Sequence, residues 1–531
     1  MTRHKFAPSI AWSAVANWTA FLVVALVSFF LSPFIVHHLG NTAFGVWVLL
    51  GSLVGYLGLL DFGVRGAVTR YVAHFYAAAD HKQCSRIAST SITLFVISGF
   101  AAVLISVGAA FLIDRLFTVP VELLYEARTV ILLGGLTVSA SLIGGVYGGI
   151  VTGLQRFDLD SALEIVLTAF RAVAIVSALF LGFGLVALAA IHLAAAVLRA
   201  LALTAIVRRL YPQLQVTFRA QLEHVRMLLS FSVFSSLIHL SSKVIYYTDS
   251  VVIASFLQVE LVTFFAIAAS LIDYAREISG SLSRIVTPRA SMVQATESDV
   301  AVGEMVLNVG RVATLIALPI TLTFWLRGHS IISLWMGQEY AVQSGHILSL
   351  LAIMVWFGGA RSAIAATMLG LNKHRPLALV FMLEAVGNVG LSVALVKPLG
   401  LMGVALGTVI PNVLVSLALP WYLRVTLGVS PLAFYCRALL LPSLACLPFA
   451  CASLILERAY PVESLLAFCG QIVLILPLVP ACAFVLTTTR TERHLIHAFL
   501  RNPASRLLLR ARARQTTTPT ALPPSGAAGL D

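Results

Sequence analysis

Charge is what this sequence has least of: Asp, Glu, Lys and Arg make up 11% of its 531 residues, against about a quarter in a soluble domain. A chain so poor in charge is excluded from the water-soluble globular class. Acid is scarcer than base, with 22 acidic against 35 basic residues, and no acid precedes Asp61. Cysteine is also rare. Four of the six (Cys446, Cys451, Cys469 and Cys482) fall in the last two apolar runs, while Cys84 and Cys436 lie near the predicted cytoplasmic side. No pair has metal or redox spacing, so packing is their expected role. Long polar loops are missing too: the longest outer loops, around residues 114–127 and 327–343, leave no room for a catalytic domain. The basic start of the chain leads into an apolar region too long for a signal peptide, with no small-residue cleavage site after it, so it is expected to be the first spanning helix.

What fills the chain instead is apolar sequence, 59% hydrophobic with a mean hydropathy of +0.96. Runs of about 20 residues, each long enough to cross roughly 30 Å of hydrocarbon, recur from Ala11 to Leu486; the length rule gives about fourteen. They are continuous, not alternating ten-residue segments, so they are read as helices and not barrel strands. The predicted class is an all-α polytopic membrane protein. With the N-terminus in the cytoplasm, 24 of the 35 Lys and Arg fall on the cytoplasmic side and 5 outside (Arg115, Arg128, Arg327, Lys397 and Arg458). The remaining 6 (Arg171, Arg199, Lys243, Arg276, Arg311 and Arg361) lie within predicted spans. The net charge of +13 therefore follows the positive-inside rule and does not indicate nucleic acid.

The chain also repeats itself. "GLQR" at 153–156 matches "GLNK" at 370–373 with an offset of 217, and "GLVALAA" at 184–190 meets "GLMGVAL" at 400–406 with an offset of 216. Upstream, Ile35, Leu39, Ser52, Leu53 and Tyr56 meet Ile253, Leu257, Ser270, Leu271 and Tyr274 with an offset of 218. A common offset at three places indicates a duplication. About six spans separate equivalent points, so the halves share one orientation and are related by an axis along the membrane normal, with a central cavity between them. The expected organisation is a six-helix bundle over 1–208, a cytoplasmic linker over 209–228, a second six-helix bundle over 229–424, two extra spans over 425–489, and a basic, partly disordered cytoplasmic tail over 490–531 that anchors at anionic headgroups.

A basic residue at mid-span costs about 2.5–3.5 kcal/mol on insertion scales, so those within spans are expected to face a wet or paired interior. His239, Lys243 and Tyr247 share one helical face, flanked by Tyr246 and Asp249; on the next span Asp273, Arg276 and Glu277 share another. In the first half, Asp61 and Arg65 are four residues apart, and Asn17 is the strongest polar group of the first span. One reading pairs neighbours structurally: Lys243 with Asp249, Arg276 with Asp273, Arg65 with Asp61. The other places Asn17, Arg65, Lys243, Tyr246, Tyr247, Arg276 and Arg311 around a cavity with surplus positive charge, which suits an anionic, sugar-bearing lipid: arginine grips phosphate through paired hydrogen bonds, and tyrosine lies against sugar rings. Asp249, Asp273, Glu277 and Glu384 are candidates for binding a proton or sodium ion.

Several other features are assigned to packing. The ladder Gly144, Gly145, Gly148, Gly149 and Gly153 permits close helix approach. Prolines within spans, Pro33, Pro319, Pro411 and Pro420 among them, each release a backbone acceptor and permit a bend. "DLD" at 158–160 lacks a nucleotide-sugar domain, and "GFGLVA" at 182–187 follows no strand, so neither carries its usual chemistry.

The segments "HHLGNTAFGVWVLLGSLVGYLGLLDFGVRGAVTR", "GGIVTGLQRFD" and "GLMGVALGTVIPN" together resemble the polysaccharide transporter family of the multidrug/oligosaccharidyl-lipid/polysaccharide flippase superfamily, in particular bacterial O-antigen-type flippases, over roughly residues 11–427. The resemblance implies alternating access by two six-helix bundles that move a sugar on a polyprenyl diphosphate across the inner membrane, with both termini cytoplasmic. It implies no cofactor, and as partners the lipid-linked oligosaccharide, membrane lipids, a coupling proton or sodium ion, and a polysaccharide polymerase with its chain-length regulator. Two alternatives stand beside it. Cation-coupled multidrug exporters of the same superfamily often carry an acid in the first span, where this chain offers Asn17; a membrane-embedded polymerase or glycosyltransferase needs a large outer loop.

Overall fold

The computed structural model of the chain describes residues 10–373, 375–488 and Arg493, except for the side chains of residues 10–14, 230–235, 279–285 and 288. The expected anchoring tail over 490–531 lies outside the described residues, Arg493 apart. The helices in order are α1 (Ile10–Leu57), α2 (Val64–Ala77), α3 (His81–Leu116), α4 (Val121–Gly153), α5 (Phe157–Phe180), α6 (Leu185–Leu210), α7 (Leu222–Phe256), α8 (Leu261–Thr296), α9 (Asp299–Met336), α10 (Gln338–Gly370), α11 (Arg375–Leu399) and α12 (Leu401–Leu427). Two further helical stretches follow, α13 (Pro431–Ala459) and α14 (Leu465–Leu486). Side-chain caps fix several starts: Asp80, Ser298 and Ser464 accept from the backbone of Gln83, Ala301 and Ala467 at the heads of α3, α9 and α14.

Eleven helical stretches among the described residues are long and apolar enough to cross a membrane. The protein is a multi-pass membrane protein. Residues 15–77 count there as one stretch of 63 residues, and α7 and α8, which carry mid-helix charge, are not among the eleven. The stretch of 63 is not one rod. Gly40, at φ 77° and ψ 166°, breaks α1, because glycine adopts that conformation at little steric cost. A 3-10 turn at Gly58–Asp61 followed by left-handed Phe62 and Gly63 separates α1 from α2. In α1, α9 and α12 the breaks do not fall at the prolines: helix runs through Pro33, Pro319, Pro411 and Pro420, and the irregular residue of α9 is Arg327; in α14 the turn at 476–477 does contain a proline, Pro477.

The repeated sequences form repeated structure. After Gly153 and again after Gly370 the chain turns through a left-handed residue, Gln155 at φ 60° and Asn372 at φ 55°. Each glycine abuts the carbonyl oxygen of a threonine, Thr69 or Thr287, themselves 218 residues apart, and a Cβ on either would meet that oxygen. Packing repeats as well: α3 on α4 and α9 on α10, α4 on α6 and α10 on α12, α1 on α5 and α7 on α11. The glycine ladder packs α4 against Ala200 of α6 and against Arg65 and Val68 of α2.

The buried apolar residues divide unevenly between the ends of the helices. At the end marked by Gly40, one core joins both halves, running from Val46 and Leu49 of α1 through Ile253, Val262 and Ile332 to Val404. At the opposite end, marked by Gln155, the described residues form two cores: one of α2, α3, α4 and α6 with Leu228, the other of α9 to α13 with Val293. The halves are sealed together at one end and separately packed at the other.

Candidate functional site

A cavity of about 720 Å³ opens among α7, α8, α10, α11 and α12. His239, Lys243, Tyr246, Tyr247, Asp273, Arg276, Glu277 and Glu384 line it, as do Arg361, Phe381 and Asn412. Its walls come from the second half alone, where the sequence led us to expect a chamber between halves. A smaller cavity of about 220 Å³ lies at the seam, lined by Val48 and Ser52 of α1 and by Asp249 and Thr408; it shares Tyr246, Tyr247, Asp273 and Arg276 with the first.

The bases within predicted spans divide into two groups. Arg171 pairs with Glu164 at 2.9 Å, Arg199 with Asp160 at 2.6 Å and with Glu164, and Arg361 grips Glu384 through two bonds of 2.8 and 2.5 Å. Lys243 and Arg276 are different. Lys243 donates to the Tyr247 hydroxyl at 3.0 Å and lies 4.9 Å from that ring's centre. The guanidinium of Arg276 stacks 4.1 Å from the centre of Tyr246, and its approach to Asp273 is a loose 4.0 Å. Asp249 is not the partner of Lys243: its carboxylate, 6% exposed, accepts from the Thr408 hydroxyl at 2.9 Å. The Asn388 side chain donates in turn to Thr408 at 2.8 Å, and the side-chain oxygens of Asn388 and Asn412 are buried without a hydrogen-bond partner.

The other expected cavity residues stand elsewhere. Arg311 donates to the Thr487 carbonyl at 2.6 Å and lines a separate pocket of about 210 Å³ with Arg437, holding α14 to α9. Asn17 is exposed and accepts from Ser161 at 2.8 Å. Arg65 is exposed beside Gly148; Asp61 bonds its backbone N–H at 3.2 Å, so the acid caps the start of α2 instead of pairing with the guanidinium. Arg327, expected in an outer loop, is 1% exposed inside α9, bonded to Glu457 of α13 and to Gln471 of α14. Among the described residues the cavity lining carries no surplus of positive charge: three bases (Lys243, Arg276 and Arg361) face three acids (Asp273, Glu277 and Glu384).

The seam above the cavities is held by polar contacts between halves. Thr263 donates to the Asn41 carbonyl and Tyr340 to the Asn41 side-chain oxygen, both at 2.6 Å. Trp335 donates to the Phe29 carbonyl at 2.9 Å while stacking on the Phe29 ring at 4.8 Å. That carbonyl is available because Pro33, four residues on, has no N–H to fill it.

Residues 39–345 match the family model described as polysaccharide biosynthesis protein. The chain belongs to that family. A Shigella flexneri protein named "Putative O-antigen transporter" is 23% identical over 420 residues, spanning 78% of this chain and 97% of its own. The Bacillus subtilis membrane protein EpsK, uncharacterized, is 26% identical over 160 residues, covering 30% of this chain and 32% of its own. Among solved structures, lipid II flippase MurJ in an inward closed conformation aligns with a TM-score of 0.72 over 92% of this chain and all of its own, at 13% identity. An inward-facing multidrug resistance transporter of the same superfamily gives 0.61 over 77% of this chain and 94% of its own, at 16% identity. The fold is that of the multidrug/oligosaccharidyl-lipid/polysaccharide flippase superfamily.

Proposed function

We propose that the protein is a flippase that carries a polyprenyl-diphosphate-linked oligosaccharide across the bacterial inner membrane by alternating access, for O-antigen, capsule or exopolysaccharide assembly. The observation that carries this reading is the single core at the Gly40 end against two separate cores at the Gln155 end, with a charged cavity between those ends. In this reading residues 1–208 and 229–424 move as two bodies joined by the linker 209–228, and residues 425–489 travel with the second body through the Arg327 contacts. The Gly40 end is outermost and both termini are cytoplasmic, in keeping with the distribution of Lys and Arg. A proton or sodium ion at Asp249 couples the cycle: a buried carboxylate with one hydroxyl donor and an orphaned Asn388 oxygen nearby suits a small cation better than an empty site. Asp273 and Glu277, exposed in the cavity, and Glu384, bound by Arg361, are the less suited acids. A polysaccharide polymerase and chain-length regulator receive the product.

The test is export in cells lacking their own O-antigen flippase. Wild-type protein restores surface polysaccharide, while Lys243→Ala and Arg276→Ala each reduce it at least tenfold at equal membrane abundance. Restoration by both variants removes the cavity from the transport path; failure of the wild type with every matched sugar pathway removes the flippase reading.

A further inference from the structure

Resting on the flippase reading above, we infer that the second-half cavity receives the saccharide of the cargo, and that Asp273 and Glu277 are its hydroxyl acceptors, the diphosphate remaining outside. Of the six charged residues described there, Arg361 and Glu384 close on each other through two parallel bonds, and Asn412 adds a third bond to the same carboxylate at 2.9 Å. Lys243 and Arg276 are left against Asp273 and Glu277. Those two acids stand four residues apart on one face of α8 and are exposed, Asp273 with 54% of its side chain. Like charges at that spacing repel, a cost to the helix that a ligand contact offsets.

A diphosphate gains little from such walls. Whatever attraction Lys243 and Arg276 offer, the two carboxylates cancel over the same few ångströms, and the anion still loses its water. A sugar meets the opposite situation. Its hydroxyls are donors as well as acceptors, so carboxylates with several lone pairs each, ammonium and guanidinium groups and the hydroxyls of Tyr246 and Tyr247 all find a use. Neutral polyols also bring no net charge to upset a balanced lining.

Two measurements on the full-length protein test this. In cells, the isosteric double variant Asp273→Asn/Glu277→Gln is expected to cut export at least tenfold at unchanged abundance; unchanged or increased export overturns the assignment, because removing acids would improve a phosphate site. In the purified protein, Gly358→Cys places a thiol in the cavity at a position with open space around it. Its alkylation rate, read at that residue by mass spectrometry, is expected to stay within twofold on adding 10 mM inorganic pyrophosphate in the wild-type background, with protection appearing only in the double variant, where the cancelling carboxylates are gone. Severalfold protection by pyrophosphate in the wild-type background overturns it. If wild-type protein exports nothing, the flippase reading fails on its own, and the alkylation measurement still decides whether the cavity accepts a diphosphate.

Discussion

Replacing Pro33 by alanine is expected to stabilise the folded protein and at the same time loosen the seal between its halves. Proline inside a helix costs about 3 kcal/mol, so alanine makes α1 the better helix. The same change supplies an N–H to the Phe29 carbonyl, which Trp335 of the other half now satisfies at 2.9 Å. In the sealed form that carbonyl is bonded; in the alternating-access cycle proposed above the halves part at the Gly40 end and it is orphaned, at a cost of about 1–3 kcal/mol. Alanine removes this difference, and at 1.4 kcal/mol per factor of ten the balance moves toward the parted form by about 5- to 140-fold. Ser52, 5% exposed at the seam cavity beneath the seal, reports it. Ser52→Cys in intact cells should react with a membrane-impermeant maleimide at least fivefold faster when Pro33→Ala is added, while the thermal midpoint of the purified protein rises. A raised midpoint with an unchanged labelling rate would show that the Trp335 bond does not hold the seal, and the reasoning would be wrong.

Three further outcomes follow from the same geometry. Arg361→Met strands the Glu384 side chain, 1% exposed, and should cost about 3–5 kcal/mol in detergent unfolding, whereas Arg361→Met/Glu384→Leu should recover most of that in a double-mutant cycle. Arg327→Leu removes the link from α9 to Glu457 and Gln471; about 3 kcal/mol of stability should go, with faster proteolysis between α12 and α13, and no acceleration there would mean that packing alone holds the last two helices. Gln155→Gly relieves a left-handed residue and should raise the thermal midpoint, worth up to about 1 kcal/mol, while Gly153→Ala, whose Cβ would lie 2.9 Å from the Thr69 oxygen, should lower it by about 1–3 kcal/mol.

Residue type and spacing carried much of this into the sequence. Apolar run length reports helix because lipid leaves the backbone no other partner, and the "GLQR"/"GLNK" match reports a turn because both copies need one left-handed residue after a glycine packed on a carbonyl. The charged faces of α7 and α8 were legible because residues three or four apart on a helix share one wall. What stayed hidden depends on contacts between distant segments. Nothing in the neighbourhood of Arg311 names Thr487, 176 residues on, and nothing near Arg327 names Glu457. Asn388, Thr408 and Asn412 had a local signal that went unused: Glu384 and Asn388, like Thr408 and Asn412, are polar pairs four residues apart in apolar helices, and the two pairs bond to each other, to Arg361 of α10 and to Asp249 of α7.

The duplication explains the shape of the site through its departures more than its matches. With an offset of 218, the Gly40 break of α1 falls on the turn between α7 and α8, but the unwound stretch 58–63 falls on 276–281, where α8 runs on as helix. One copy therefore has a joint where the other has a continuous wall carrying Arg276 and Glu277 into the cavity. A wall that must hold charged groups at fixed separation gains from being unbroken, since each displaced base would leave an acid uncompensated in a medium of low dielectric. The first half has no comparable wall on α2: Asp61 is spent on capping, and its charged cluster sits on α5 and α6, closed by pairing of Arg171 and Arg199 with Glu164 and Asp160. In the alternating-access cycle proposed above, the two copies of one bundle divide the work, one keeping the cavity and the other the joint, so substitutions that stiffen 58–63 should slow movement of the halves without altering what the cavity binds.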